Sequence, residues 1–461
     1  MATGTHPRPR VESRDDTSTW LAGTARDRVL TAGALPAATA ARSAALAVVA
    51  WAAAVAATGL LAVATSSRIG APPFAGRWRL MPPWPAGAVI AAAVAAAVIA
   101  LATRTTYVAR VRWRWLLAGS MLAALAWALS LALIDGPSGL LASLGGRYDY
   151  LAAVADAGSP DGFLARFVPE HDSWPIHVQG HPPGMVLLLL GLDAVGLART
   201  GVVAATVLVG GSATVPAALV ATRDVAGDAA ARRLAPVLVL APAAIWWSSA
   251  DALFAGVAAW AVALAVLATA RRGPASWAMG AGAGVLGSAA LLLSYGLALL
   301  AVVPLVVGVW RHRLAPLAAS VAVIAVAYLA VRAAGFDWWR GLEATRAAYQ
   351  GGVATERPYG VFLLANVAVF ATAAGPAAIA GLGRLARVGR GAALQMLAGA
   401  ATASVLGANV SGLSKGEVER IWLPFAPWVI VAAAAVPEPR PWLVASGLTA
   451  VVLALVLEAR W

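Results

Sequence analysis

The chain of 461 residues contains no cysteine and a single lysine, Lys415. Without thiols there are no disulfides and no thiolate metal site, and the redox compartment is unreadable. Charge is scarce as well: 12% of residues are Asp, Glu, Lys or Arg, where a soluble protein carries about 25%. No glycine-rich nucleotide loop is found, neither GxxxxGK followed by Ser or Thr nor a GxGxxG behind a credible strand. No repeat of fixed period occurs. The net charge of +13 raises nucleic acid as a partner. The arginines, however, lie between apolar runs and not on one face, so their expected role is to fix membrane topology, with no nucleic acid involved.

What the chain has in abundance is apolar sequence, at 61% hydrophobic residues and a mean hydropathy of +0.78. It comes in runs of roughly sixteen residues or more, close to what a helix needs to cross a hydrocarbon core of about 30 Å. The alternation of polar and apolar residues that marks a membrane β-barrel is missing. The expected fold class is an all-α polytopic integral membrane protein with about thirteen transmembrane helices. Residues 1–42 are expected to be a disordered cytoplasmic tail. Residues 43–461 form a single transmembrane domain, its first apolar run a retained helix and not a cleaved signal.

Arginine content sets the orientation. Arg104, Arg110, Arg112 and Arg114 occur without an acid between them, and Arg384, Arg387 and Arg390 mark a second basic turn. Basic short loops stay cytoplasmic, so segments 135–181, 336–359 and 411–421 are expected outside and the N-terminus inside. The connection 68–85 then lies outside despite Arg77 and Arg79. A conflict arises further on: if 223–233 and 271–272 are both inside, residues 182–222 must cross once, yet they read as two helices. Either 182–197 is re-entrant or one basic turn lies outside. The run 277–310 is expected to break at Ser294-Tyr295-Gly296.

Polar chemistry gathers in 147–184. This stretch holds five carboxylates (Asp149, Asp156, Asp161, Glu170 and Asp172) and three of the five histidines, His171, His177 and His181. Asp149, beside Tyr150 at the expected membrane boundary, is placed to act as general base on a hydroxyl, or is a solvated loop acid. Glu170, His171 and Asp172 with His177 and His181 supply ligand types for a divalent metal ion such as zinc, or line a polar cleft. Asp251 opens an apolar run, where the helix dipole tolerates an anion. In 411–422, Lys415, Glu417, Glu419 and Arg420 lie between apolar helices, and Arg357 falls on the same expected face. These cations suit a lipid phosphate, arginine forking onto its oxygens; the alternative is an internally paired turn.

Three stretches carry a family resemblance. Asp149-Tyr150 sits in an acidic first external loop; His181-Pro182-Pro183-Gly184 leads into MVLLLLGLDAVG; Pro242 precedes WWSSADALF at 246–254, with LGSAALLLSYG following at 286–296. From Asp149 to about Trp310 the chain thereby resembles the C-type glycosyltransferase (GT-C) superfamily, in particular bacterial relatives of protein O-mannosyltransferases and of lipid A aminoarabinose transferases. It departs from them in having Gly184 where Leu is usual, no Glu after Asp149, and Ser294-Tyr295 where many members carry a lysine. Two extra helices also precede the acidic loop.

The resemblance implies transfer of a sugar from a polyprenyl-phosphate donor to a cell-envelope glycan, lipid or protein acceptor, on the external face of the cell membrane. Asp149 would deprotonate the acceptor hydroxyl, while Lys415, Arg420 and Arg357 would hold the leaving phosphate. Tyr150, the histidines, Asp251 and Glu417 would line the substrate site. A transporter or flippase of a lipid-linked or anionic substrate is the alternative, and a non-catalytic scaffold a third.

Overall fold

The structure, a computed structural model, describes residues 37–67, 69–82, 84–388, 392–436 and 438–459. Its principal helices are α1 (Ala37–Ala64), α2 (Pro85–Thr103), α3 (Trp113–Ala132), α4 (Gly184–Asp193), α5 (Thr200–Ala226), α6 (Asp228–Val239), α7 (Ala250–Ala270) and α8 (Pro274–Leu293). There follow α9 (Val302–Trp310), α10 (Leu317–Ala333), α11 (Trp338–Gly351), α12 (Tyr359–Ala374), α13 (Pro376–Leu385), α14 (Ala393–Val410) and α15 (Pro439–Val456). One two-residue ladder pairs Arg77 with Glu458 and Trp78 with Leu457. Because α1 begins at Ala37, the last residues of the expected tail are helical; residues 1–36 lie outside the described residues.

Among the described residues seven helices are long and apolar enough to cross a bilayer, or nine if each of two bent pairs is one span. Four further apolar helices, Gly184–Asp193, Tyr295–Trp310, Leu423–Ala435 and Arg440–Val456, are shorter. In a bilayer every backbone amide must bond within its own segment, which helices do. The outward faces are apolar: α10 buries none of its residues, and its Val321, Val326 and Leu329 are 65%, 68% and 61% exposed. Such a helix suits lipid and not water. The chain is an all-α membrane protein.

Inside, small residues let backbones meet. A Cβ on Gly256 of α7 would fall 2.2 Å from the carbonyl oxygen of Gly210 on α5, so only glycine permits this contact, the membrane alternative to large interlocking side chains. That crossing fixes α7, whose first turn carries Asp251.

Proline decides where runs stop. The run 234–249 is not one helix: α6 ends at Val239 and Pro242 opens a 3₁₀ segment, Pro242–Trp246. The run 361–382 bends by 108° between α12 and α13, where Gly375 takes φ +90° and Pro376 has no N–H to give. With Pro424 and Pro427, the run after Trp422 alternates 3₁₀ and α segments. The break expected near Ser294 is present: α8 ends at Leu293 and a 3₁₀ segment starts at Tyr295.

The bundle has two chemically distinct ends. At one, Arg232 donates to the carbonyls of Val108 (2.7 Å) and Val111 (2.9 Å), and Arg223 stacks over Trp113. Arg271 and Arg311 share Asp224 there. The basic turns around 104–114, 223–233, 271–272 and 311–313 therefore lie together. At ten residues α4 spans only about 15 Å, so within 182–222 only α5 has crossing length and the re-entrant form of 182–197 fits.

The opposite end holds 135–181, 336–359 and 411–421. Arg79 belongs here, bonded to Asp135 and to the carbonyls of Ala454 and Leu455. These contacts hold Arg79 at the end opposite the basic turns.

Because the chain lacks cysteine, introduced ones report topology cleanly. Ser159→Cys should react with an impermeant maleimide in intact cells, and Ala109→Cys only after permeabilisation. The reverse pattern would invert the orientation.

Candidate active site at one end of the bundle

Segment 135–181 is no slack loop. Short helical turns pack Phe163, Phe167 and Trp174 into its interior, Phe163 and Trp174 with ring centroids 5.1 Å apart. Phe167 meets Phe336 at 5.3 Å. Thr345 of α11 adds a hydrogen bond to the Gln179 carbonyl, 2.8 Å. The segment is thereby fixed to α11, and His177 with it.

Asp149 stands in extended conformation just before the 3₁₀ turn Tyr150–Ala153. Its carboxylate is buried, with Oδ2 accepting from the Gly146 N–H at 2.9 Å and Oδ1 2.8 Å from His177 Nδ1. A carboxylate only accepts, so Nδ1 carries the proton and Nε2 of the neutral ring keeps its lone pair. His181 Nδ1 lies 3.0 Å from the His177 carbonyl and 2.9 Å from Tyr150 Oη. The carbonyl fixes that proton on Nδ1 too, and Nε2 lies 3.9 Å from Asp251. Gly184 opens α4 behind this pair: a Cβ there would fall 2.4 Å from the Leu292 carbonyl oxygen. No side chain larger than that of glycine is accommodated there without a shift of the backbone.

From Asp251 a row of alternating charge begins. Asp251 pairs with Arg420 at 3.2 Å, Arg420 with Glu417 at 3.4 Å, and Glu417 with Arg357 at 3.2 Å. Asp251, Arg357 and Arg420 are all buried. Burial pulls against the Arg420 cation, but Asp251 and Glu417 hold its pKa above the ordinary value. Burial likewise opposes the Glu417 anion, and Arg420 and Arg357 outweigh it, so its pKa is lowered. Burial pushes the His181 pKa down against the pull of Asp251, and raises that of Tyr150 well above the usual phenol. At neutral pH the site thus holds fixed charges and a neutral His181.

Glu417 takes φ +64°, a left-handed conformation costing on the order of 1 kcal/mol or more for a residue with a Cβ. Two arginine contacts offset that cost. The preceding turn is held by one buried amide: Asn366 Oδ1 accepts from the Gly416 N–H (3.0 Å), and Asn366 Nδ2 donates to the Ser414 carbonyl (2.7 Å) and to Asn409 Oδ1 (3.2 Å). Lys415 donates from Nζ to the Ala354 carbonyl at 2.5 Å. It lines an open polar cleft of about 620 Å³ with Tyr349, Arg357, Tyr359 and Ser411.

Nine of the residues singled out in the sequence therefore meet in one connected region: Asp149, Tyr150, His177, His181, Asp251, Arg357, Lys415, Glu417 and Arg420. Three others do not join it. Glu170 pairs with Arg166 at 2.7 Å; the Asp172 side chain is 97% exposed; buried His171 places Nε2 3.0 Å from the Gln179 carbonyl. Among the described residues no three His, Asp or Glu side chains converge to hold a metal ion. Asn366 and Asn409 were missed by the sequence reading. They are the only asparagines in the chain and both interrupt apolar runs, a signal that could have found them.

No family model, curated protein or solved structure matches this chain.

Glu419, next to this row, is fully buried. Its Oε1 accepts from the Ala75 N–H at 2.8 Å, and burial raises its pKa to about 7 from an ordinary 4.5. Since the folded value lies above the unfolded one, ionising Glu419 in place costs stability. That cost is absent below the ordinary 4.5, grows as pH rises from there to about 7, and levels off above it. Stability in detergent should therefore fall from about pH 4.5 to about pH 7 and flatten beyond. Glu419→Gln keeps the Ala75 contact and should flatten the slope; an unchanged slope would assign the titration to another group.

Proposed function

We propose that the protein is a membrane glycosyltransferase of GT-C type that transfers a sugar from a polyprenyl-phosphate donor to an acceptor hydroxyl at the external face. The carrying observation is the single polar row running from Asp149–His177 through His181, Asp251, Arg420 and Glu417 to Arg357. It sets a basic end and a cationic end side by side at one end of the bundle. Displacement at an anomeric carbon needs both: a base for the incoming hydroxyl and positioned cations where charge builds on the leaving phosphate. Arg420, Arg357 and Lys415 supply the second, and the Asp149–His177 pair the first.

The resemblance of 149–310 to the superfamily supports the same assignment. The reading carries a topology with it, in which the shorter segments 295–310, 423–435 and 440–456 cross together with a broken span 228–249, α4 does not, and the N-terminus is cytoplasmic. A transporter would carry its polar groups near the bilayer midplane at broken helices; here they gather at one end.

Membranes containing the chain, incubated with a panel of labelled polyprenyl-phosphate hexoses and pentoses, test the reading. Consumption of one donor with release of polyprenyl phosphate is expected; movement of intact donor across the bilayer without consumption would instead make the protein a flippase. Asp149→Asn keeps shape but weakens the basic end, so transfer should fall roughly 10²–10⁴-fold, the value of general-base catalysis. Asp156→Asn and Asp161→Asn, on exposed turns, should cost less than about tenfold, below that range. Near-normal turnover by Asp149→Asn would place the base elsewhere.

Lys415→Ala should raise the apparent donor KM several-fold and leave detergent stability within about 0.5–1 kcal/mol, as for surface changes. Lost stability with unchanged donor kinetics would make the Lys415 turn structural.

A further inference from the structure

We infer that His177, oriented by Asp149, is the group that takes the proton from the acceptor hydroxyl; this rests on the glycosyl-transfer reading above. The Asp149 side chain is 5% exposed and that of His177 18%. Both carboxylate oxygens are engaged, one by the Gly146 N–H and one by His177 Nδ1. Each oxygen keeps a second acceptor site, but at 5% exposure the buried side chain presents little of it to an incoming hydroxyl. His177 Nδ1–H is committed to Asp149, and among the described residues no hydrogen bond reaches Nε2. That lone pair is the open basic position of the pair.

The ring is also held in place. The His177 N–H donates to the Tyr148 carbonyl at 3.2 Å, and the imidazole lies 6.2 Å from the Tyr150 ring. The His177 carbonyl meets His181 Nδ1 at 3.0 Å, and His181 Nε2 lies 3.9 Å from Asp251, where the charged row begins. His177 therefore links Asp149 to the row that runs through Arg420 and Glu417 to Arg357, where acceptor and leaving phosphate must meet.

The step balances. The acceptor O–H proton moves to His177 Nε2, and the oxygen's electron pair forms the bond to the anomeric carbon. The bond from that carbon to phosphate oxygen breaks, its electrons leaving with polyprenyl phosphate beside Arg420 and Arg357. Nδ1–H stays on Asp149, whose negative charge stabilises the imidazolium until Nε2 returns its proton to water. Asp149 is then a positioning residue, in the manner of a carboxylate behind a histidine base.

The test uses the full chain in membranes, with the labelled donor found above. His177→Asn keeps an amide donor toward Asp149 and removes Nε2; transfer should fall roughly 10²–10⁴-fold. His177→Ala should be equally poor and should recover part of its activity with added imidazole, whereas Asp149→Asn should gain nothing from it. In the wild-type chain, carbethoxylation of His177 followed by mass spectrometry should track the loss of transfer, so the assignment does not depend on a variant folding. Transfer by His177→Asn within tenfold of wild type, an inert His177→Ala that imidazole does not rescue, or full modification of His177 with transfer intact each overturns it. Wild-type membranes that use no polyprenyl-phosphate sugar overturn the broader reading instead, and this assignment with it.

Discussion

The ion pair of Asp251 with Arg420 joins residues 169 positions apart in the sequence, and the arrangement of this end of the molecule depends on it. Taking a guanidinium out of water costs several kcal/mol, recovered only with close opposite charge and good geometry. Arg420 has Asp251 on one side and Glu417 on the other, and Glu417 in turn holds Arg357. The four charges alternate in sign and sum to zero. Removal of one partner from such a buried pair costs about 3–5 kcal/mol, because its neighbour is left uncompensated. The start of α7, the residues before α12 and the turn after α14 are thus held in one place by electrostatics, though none adjoins another in sequence.

Geometry below this row serves the same end. Glycines at the crossing of α5 and α7 bring two backbones into contact and fix the level at which Asp251 emerges. Asn366 presents its amide to the turn 414–416 from inside one apolar helix, and Asn409 on another accepts from it and donates to the Leu363 carbonyl. A buried amide without partners would cost roughly 1–3 kcal/mol, and here each is bonded. The turn therefore has a defined shape, which sets where Lys415 and Glu417 project and allows the left-handed backbone of Glu417.

Helices were legible because apolar runs of spanning length leave the backbone one option in lipid. Breaks at Pro242, Pro376 and Pro424 were less so, since hydropathy does not register a missing N–H. The gathering of Asp149, His177 and His181 was readable from their density in one segment. Their meeting with Asp251, Arg357 and Arg420 was not, because local pattern carries no information about pairs so far apart. Glu170, His171 and Asp172 show the opposite failure. Adjacent in sequence, they read as one cluster, yet His171–Ser173 is a 3₁₀ turn, where successive side chains point about 120° apart. Glu170 meets Arg166, His171 turns its Nε2 inward to the Gln179 carbonyl, and the exposed Asp172 reaches His171 Nδ1, at 3.6 Å.

Polar side chains within the bundle bear on whether a hydrophilic substrate could pass through it. Ser212, Thr214, Thr269, Thr372 and Ser404 are all buried, and each hydroxyl donates to a carbonyl three or four residues earlier on its own helix. Such bonds satisfy the hydroxyl locally and leave little to offer a passing solute. Around them the packing is alanine, glycine and valine. Charge is confined to the two ends, one a set of arginine turns with their acid partners and the other the row from Asp149 to Arg357. A sugar crossing that interior would find few protein hydrogen bonds to replace its hydration, and each bond lost without replacement carries the cost of an unsatisfied polar group. The proposed chemistry at one surface, on a donor whose lipid tail stays in the bilayer, needs no such path.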